Sequence, residues 1–367
     1  MTDKWKPKYN ITSKTARGLM DIEAIKHAMD NITIPPAIAA DLKYNAMIRA
    51  THYSTRIEGN KLTLKETEQV IRKNKVVFHG RERDVKEVQN YWNALIAIQK
   101  WAESKAEFSE ELVRKTHGIV MKGKKAAPTP YRTEQNIIKD SGTGRIVYMP
   151  PDAKDVPSLM QNMEKWTRKA EKEGIPPPII AALVHYQFVT IHPYYDGNGR
   201  TARLLATFVL QKNGYGLNGL FSMEEYHAAA IARYYKAIVT HAHHNYYFGR
   251  ADADLTSWVE YFVLLLSEVF KNVQKETILY IKNGIKAEPE ALRKLDIRAR
   301  NVLGLFLKKE FITTADIAAL LGLSQRMARN LAEKWVKQGV LLVAEKSKKS
   351  RAYKLTALYR QFVGNKD

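Results

Sequence analysis

Residues 192–203 hold a histidine, an aspartate, two glycines flanking an asparagine, and two arginines three apart: His192, Asp196, Gly197, Asn198, Gly199, Arg200 and Arg203. Each type suits one task in moving a phosphate-bearing group. His192, which precedes Pro193, exchanges a proton near neutral pH and can act as a general base. Asp196 is the kind of hard carboxylate that holds Mg2+ when substrate phosphates complete the shell. Gly197 and Gly199 let the backbone turn its N–H groups inward as an anion nest, and a helix starting there adds the partial positive charge of its N-terminus. Arg200 and Arg203 then lie on one face of that helix, where two forked cations suit a di- or triphosphate. Singly, each feature has a plain structural explanation: a tight connection, a solvated helix face, a histidine that merely ends a helix. No structural need explains all of them within one short stretch.

Such a loop has to be held by helices, and apolar residues spaced three and four apart dominate the chain, so the expected class is all-α. Helices are expected from Pro35-Pro36 to about Ile57, stopped by Gly59 and Asn60, and at about 63–73, 82–103, 109–122, 155–173, 177–190, 200–212, 222–241 and 255–283. One segment departs from the pattern. Ile137-Ile138, the turn-rich residues 139–144, then Ile146-Val147-Tyr148 and Pro150-Pro151 form a β-hairpin signal, and an isolated hairpin needs the bundle or a bound peptide to lean on. Pro289 marks a linker.

With 367 residues, 45% hydrophobic and 26% charged, the chain is a folded protein of two or three domains. It has no cysteine, which removes disulfides, thiolate zinc sites and cysteine nucleophiles and fits a reducing cytoplasm. No run is long and apolar enough for a membrane span. The net charge of +21 calls for polyanionic neighbours, and from residue 293 onward 17 Lys and Arg stand against 6 Asp and Glu, about half of that excess. In this basic tail, helices at 297–308, 314–321 and 324–337, then strands at 340–343 and 352–355 around a basic turn at 346–351, form the pattern of a winged helix-turn-helix. Arg326, Arg329 and Lys334 on its third helix could meet DNA phosphates, while such modules serve equally as protein-docking or homodimer contacts. No Walker-type Gly-x-x-x-x-Gly-Lys-Ser/Thr occurs. His241, His243 and His244 lack a carboxylate at ligand spacing and read as surface histidines rather than a zinc site.

Residues 192–203 resemble the signature of the Fic (filamentation induced by cAMP) domain, His-Pro-Phe-x-Asp/Glu-Gly-Asn-Gly-Arg-x-x-Arg, with Tyr194 in place of the usual phenylalanine. The resemblance implies a protein adenylyltransferase using ATP and Mg2+, with a Fic-type helical bundle and a hairpin flap. It implies His192 as base, Asp196 as metal ligand, the 197–199 backbone and Asn198 on the phosphates, Arg200 toward the α and β phosphates and Arg203 toward the γ. It also makes residues 137–139, namely Ile137, Ile138 and Lys139, the flap edge that docks a target protein, and sets Tyr234 and Tyr235 near the adenine, although their helical spacing alone equally suits core tyrosines. Ser54, Glu58 and Gly59 resemble the family's inhibitory motif Ser/Thr-x-x-x-Glu-Gly/Asn, whose glutamate competes for the second arginine; a helix-end salt bridge is the plainer alternative. In some relatives that glutamate also directs AMP removal. The expected layout is an N-terminal helical region with the inhibitory helix (1–110), a Fic core (111–285) and a winged helix-turn-helix (290–367).

Overall fold

A computed structural model describes residues 5–32, 34, 36–73, 77–140, 142–287, 295–307, 309–346 and 351–360. They form two compact units, Met1–Asn31 with Lys43–Gln274, and Ile32–Leu42 with Lys275–Asp367.

The first unit is built on α7 (Pro177–Ile191), which starts on two prolines and buries nearly every side chain after them. A helix apolar all round must be enclosed on all sides. It is covered by α6 (Val156–Lys172) and by α8 (Asn198–Lys212), and α8 packs in turn on α4 (Glu82–Glu103) and α5 (Glu110–Lys122). Two further helices, α2 (Pro36–Ile57) and α3 (Leu64–Lys73), complete this side of the chain order. The stop expected at Gly59 is present: Gly59 has φ +92°, Asn60 N–H reaches Thr55 O at 3.1 Å and Gly59 N–H reaches Arg56 O at 2.9 Å. This is a Schellman ending, which holds Glu58 at the C-cap.

Helix α1 (Ser13–Asp30) is not among the helices expected from the sequence. Its buried face is Thr15, Gly18, Ile22, Ile25 and Met29, and a side chain at Gly18 would press 2.9 Å from Val263 Cγ1, so small residues share the contact with apolar ones. The helix expected at 222–241 is two, α9 (Met223–Ala229) and α10 (Ile231–Ile238), broken at Ala230 without the glycine or proline that would betray it. Helix α8 begins at Asn198, inside the glycine loop rather than after it, and α11 runs Thr256–Ala287. The hairpin pairs β1 (Ile138–Lys139) with β2 (Ile146–Tyr148). Asp140 closes its turn by accepting from Thr143 N and Oγ1 at 2.7 and 2.8 Å.

In the second unit α12 (Ile297–Leu303), α13 (Thr314–Leu321) and α14 (Gln325–Lys337) pack around Trp335 and Tyr353, both wholly buried. Asp296, Thr313 and Ser324 cap the three helices, as hydroxyl and carboxylate side chains do at helix starts. The first helix stops at Leu303 and continues as a 3-10 turn, Gly304–Leu307, and the expected end at 308 lies outside the described residues. A short strand that the sequence pattern does not reveal, β3 (Ile312–Thr313), joins β4 (Leu341–Lys346) and β5 (Arg351–Leu355) in the order β3-β5-β4. Both the linker expected at Pro289 and residues 347–350 of the basic turn lie outside the described residues. Among the described residues no helix is long and apolar enough to cross a membrane.

Candidate active site

The loop between α7 and α8 is set by backbone conformations that few residues tolerate. His192 caps α7 in the left-handed region, φ 51° and ψ 59°, its N–H reaching back to Phe188 O at 3.0 Å. Such a conformation costs a non-glycine residue about 1 kcal/mol and persists only where the surroundings enforce it. Gly197 follows at φ +78°, and a β-carbon there would lie 2.7 Å from Met121 Sδ. The Asn198 side chain staples the loop, accepting from Tyr194 N at 3.1 Å and donating to Tyr194 O at 2.7 Å. With the amide spent in this way, the loop offers an anion its backbone: the first N–H groups of α8 have no acceptor within the helix.

His192 Nδ1 lies 3.3 Å from Val189 O. A carbonyl only accepts, so Nδ1 carries the proton and Nε2 keeps its lone pair. Burial pushes the imidazole down to about 4, helped by the nearby Arg132 cation, so His192 is neutral at pH 7. Asp196 is half exposed; its Oδ1 accepts from Gly197 N at 2.6 Å and Arg200 Nη2 at 3.1 Å, while Oδ2 has Arg83 Nη2 at 3.8 Å. Arg200 is 2% exposed with Glu87 Oε1 3.8 Å from Nη1, and its Nε has no hydrogen-bond partner among the described residues.

Arg203, one turn on and 3% exposed, is gripped from α2. Its Nε donates to Ser54 Oγ at 2.9 Å, and its Nη2 donates to Ser54 O at 3.0 Å and Glu58 Oε1 at 2.8 Å. Burial disfavours the Arg203 charge, but the Glu58 carboxylate outweighs it and holds the guanidinium more basic than usual. Nη1 has no hydrogen-bond partner among the described residues. A β-carbon at Gly199 would collide with Glu58 Oε1, so a glycine at 199 is what admits the carboxylate. Tyr234 is buried, its hydroxyl 2.9 Å from His185 Nε2, and Tyr235 beside it is half exposed next to Glu58.

Several residues that nothing in the sequence pattern marks complete the site. Arg132, 3% exposed, donates to His192 O at 3.0 Å, to Glu134 O at 3.1 Å and to Pro151 O, tying both stems of the hairpin to the histidine. Tyr148 fastens the hairpin to α7 through Thr190 O at 2.6 Å, and Ile137 and Lys139 stand exposed beside the half-buried Ile138. Beneath the loop, His117 Nε2 bonds Asp196 O at 2.8 Å and its ring stacks on Tyr194 with centroids 3.5 Å apart. Tyr194 is 2% exposed and its hydroxyl has no partner among the described residues, an uncompensated polar atom where a phenylalanine would have none.

Burial holds His117 at about 4, His192 at about 4 and His227 at about 3. In the unfolded chain histidine titrates near 6.5, so below that pH the unfolded state binds protons the folded state refuses. Stability is therefore full above about pH 6.5 and falls as pH drops toward about 4. Thermal melts across this window should show the decline. Replacing His117 with Gln, whose amide can also reach Asp196 O, should make the decline shallower, and an unchanged slope would show that His117 is not one of its sources.

An enclosed apolar helix, a left-handed histidine whose Nδ1 is tied to a carbonyl, a helix N-terminus and two buried arginines are groups that together can accept a proton and bind an anion, and they stand on an all-helical core. Residues 107–210 match the model of the Fic/DOC family, and the chain carries a Fic/DOC-family domain over that stretch. It is 28% identical over 206 residues to the protein adenylyltransferase Fic of Drosophila ananassae, an alignment covering 56% of this chain and 40% of that protein. The chain thus spans about two-fifths of the length of such curated relatives. Its fold is that of a Fic family protein from Desulfovibrio desulfuricans G20, with TM-score 0.61 and 23% identity over 96% of this chain and 99% of the other. It is shared too by a Fic domain containing signaling protein from Bacteroides thetaiotaomicron VPI-5482, with TM-score 0.62 and 22% identity over 72% of this chain and 97% of the other.

Proposed function

We propose that this chain is a protein adenylyltransferase that moves AMP from ATP to a serine, threonine or tyrosine hydroxyl of a target protein and to itself, restrained at rest by Glu58. The observation that carries the reading is the 2.8 Å pairing of Arg203 with Glu58 beside a complete histidine-and-glycine loop. Relatives named protein adenylyltransferase Fic support the choice of reaction.

His192 Nε2 takes the proton of the target hydroxyl as its oxygen bonds to the α-phosphorus, and the bond to the β-phosphate oxygen breaks to release pyrophosphate. The 197–199 backbone and Arg200 hold the inner phosphates, and Arg203 turns to the outer one when Glu58 withdraws. Asp196 suits a divalent cation, since its Oδ1 is occupied within the loop while the side chain is half exposed and Oδ2 has, among the described residues, an exposed arginine at 3.8 Å. Mg2+ there would offset phosphate charge. A target segment adds along residues 137–139: among the described residues β1 pairs with β2 alone, leaving one edge for main-chain hydrogen bonds.

Mass spectrometry of the Glu58→Gly protein after incubation with ATP, and separately with each other NTP, tests the reaction class. A gain of one AMP that vanishes when His192 is also replaced supports the proposal. Transfer from another NTP alone would move the reading to that nucleotide, and no modification by any of them would overturn it.

A second reading concerns residues 290–367, which we take as a winged helix-turn-helix with α14 as its DNA-facing helix. Arg326, Arg329, Lys334 and Lys337 are exposed on α14, opposite Ala328, Ala332 and Trp335 in the core of that unit. The full chain should retard duplex DNA with an affinity that falls steeply with salt, and Arg326→Glu with Arg329→Glu should abolish it. No shift at low salt would remove this reading.

A further inference from the structure

The two stems of the hairpin are held in different ways. The stem after β2 is fixed by a buried side chain and by backbone: Tyr148 donates to Thr190 O at 2.6 Å, Met149 N to His244 O at 2.9 Å, and Tyr246 N to Met149 O at 3.0 Å. The stem before β1 runs along the catalytic loop itself. Arg132 N donates to Pro193 O at 2.9 Å, Arg132 Nε to His192 O at 3.0 Å, and Asn136 Nδ2 to Tyr194 O at 3.1 Å. Between these anchors the exposed residues Thr133 and Glu134 both donate their backbone N–H to the Tyr195 hydroxyl, at 3.2 and 3.0 Å. Every loop residue from His192 to Tyr195 thus holds the stem, the first three through a carbonyl and Tyr195 through its side chain.

Tyr195 is a large ring left 60% exposed next to a buried Tyr194, so packing does not account for it. A tyrosine has only two side-chain torsions, and a bond at the far end of its ring fixes a direction at low entropic cost. The phosphate side of the loop is shaped by other groups: Gly197 at φ +78°, and Asn198 tied to both Tyr194 N and Tyr194 O. What the Tyr195 hydroxyl sets lies on the hairpin side. Glu134 stands three residues before Ile137, at most about 10 Å of chain from the edge at residues 137–139, and among the described residues β1 pairs with β2 alone. A hydroxyl delivered along that edge must arrive within hydrogen-bond reach of His192 Nε2, and an error of about 1 Å in such a placement costs up to about 10²-fold in rate.

Building on the adenylyltransferase reading, we propose that Tyr195 is a positioning residue for the acceptor substrate: its hydroxyl pins the hairpin stem to the loop, so that the edge at residues 137–139 presents a docked hydroxyl to His192.

The test uses the full chain carrying Glu58→Gly at saturating ATP, with AMP gained at residues other than 195 resolved by peptide mass spectrometry. Tyr195→Phe keeps the ring and removes the acceptor. Because Thr133 and Glu134 are exposed, water takes over their N–H groups and the melting temperature should not move. Incorporation should fall about tenfold while the dissociation constant of a non-hydrolysable ATP analogue stays within about twofold, the split expected when only the acceptor is misplaced. Amide hydrogen exchange should rise at Thr133 and Glu134 and stay constant at Tyr194, whose N–H the Asn198 side chain holds. Unchanged incorporation would overturn the proposal. So would a loss of nucleotide binding equal to the loss of rate, which would make Tyr195 a support of the phosphate loop, and so would AMP found on Tyr195 alone, which would make it the acceptor. If the Glu58→Gly protein with Tyr195 intact gains no AMP, the adenylyltransferase reading itself fails and this inference with it.

Discussion

Glu58→Gly should raise incorporation of AMP by about 10²-fold, the scale on which one preorganised donor acts on transition-state charge. The expectation rests on one guanidinium. Arg203 Nη2 is committed to Glu58 Oε1 and Ser54 O, and the same carboxylate lies against Gly199, where an added β-carbon would strike it. On the proposed reading Glu58 would block twice, by neutralising the arginine and by standing beside the loop that is to receive phosphate. Glycine removes both obstacles and suits a position that ends a helix. The same change should lower stability. A pair buried at one end and partly exposed at the other falls between the exposed and buried cases, about 2 kcal/mol, which corresponds to roughly 5 °C in Tm. Added ATP should recover more of that loss in the variant than in the parent, because only the variant offers Arg203 to it. Radiolabel transfer from α-labelled ATP and melts with and without nucleotide measure both effects. Labelling that stays at the parent level would remove the brake from the account.

Replacing His192 with alanine in the Glu58→Gly protein should lower transfer by about 10³-fold, within the usual contribution of general-base catalysis, while leaving ATP binding within about twofold. Binding should survive because the loop's shape comes from Gly197, from the Asn198 staple and from Arg132, which grips the His192 carbonyl and not its ring. The pH profile separates this histidine from an ordinary one. Held at about 4, His192 stays neutral as pH falls from 8 to about 5.5, so the Glu58→Gly enzyme should lose no rate to its protonation in that range. An unshifted imidazole would lose half by about 6.5. A rate midpoint near 6.5 that tracks this residue would contradict the geometry drawn for Nδ1 and Nε2.

Much of the helical layout is readable in the chain because its signals are local. Pro177-Pro178 start α7, Gly59 stops α2 in a Schellman turn, and Ser324 caps α14. Where the cause lies elsewhere, reading fails. The first half of helix α1 packs through Thr15 and Gly18, which carry no hydrophobic signal, and only its second half through Ile22, Ile25 and Met29. Ala230 breaks α9 from α10 with no residue that would warn of it. At the site, Asn198 looks like a phosphate ligand by type, yet in the fold its amide is spent on Tyr194.

By itself the sequence determined the inventory of the centre: the glycines that allow φ +78° at 197 and clearance at 199, the two arginines three apart on one helical face, and a histidine next to them. These follow from bonded geometry and from helical periodicity, which act over a few residues. Only the tertiary structure decided who holds whom. It set Glu58 on Arg203 across 145 residues, Arg132 on the His192 carbonyl across 60, and Tyr91 on Glu224 across 133. Such pairings cost chain entropy and have no local signature. They come into being when helices bury their apolar faces and every polar group carried inward must find a partner.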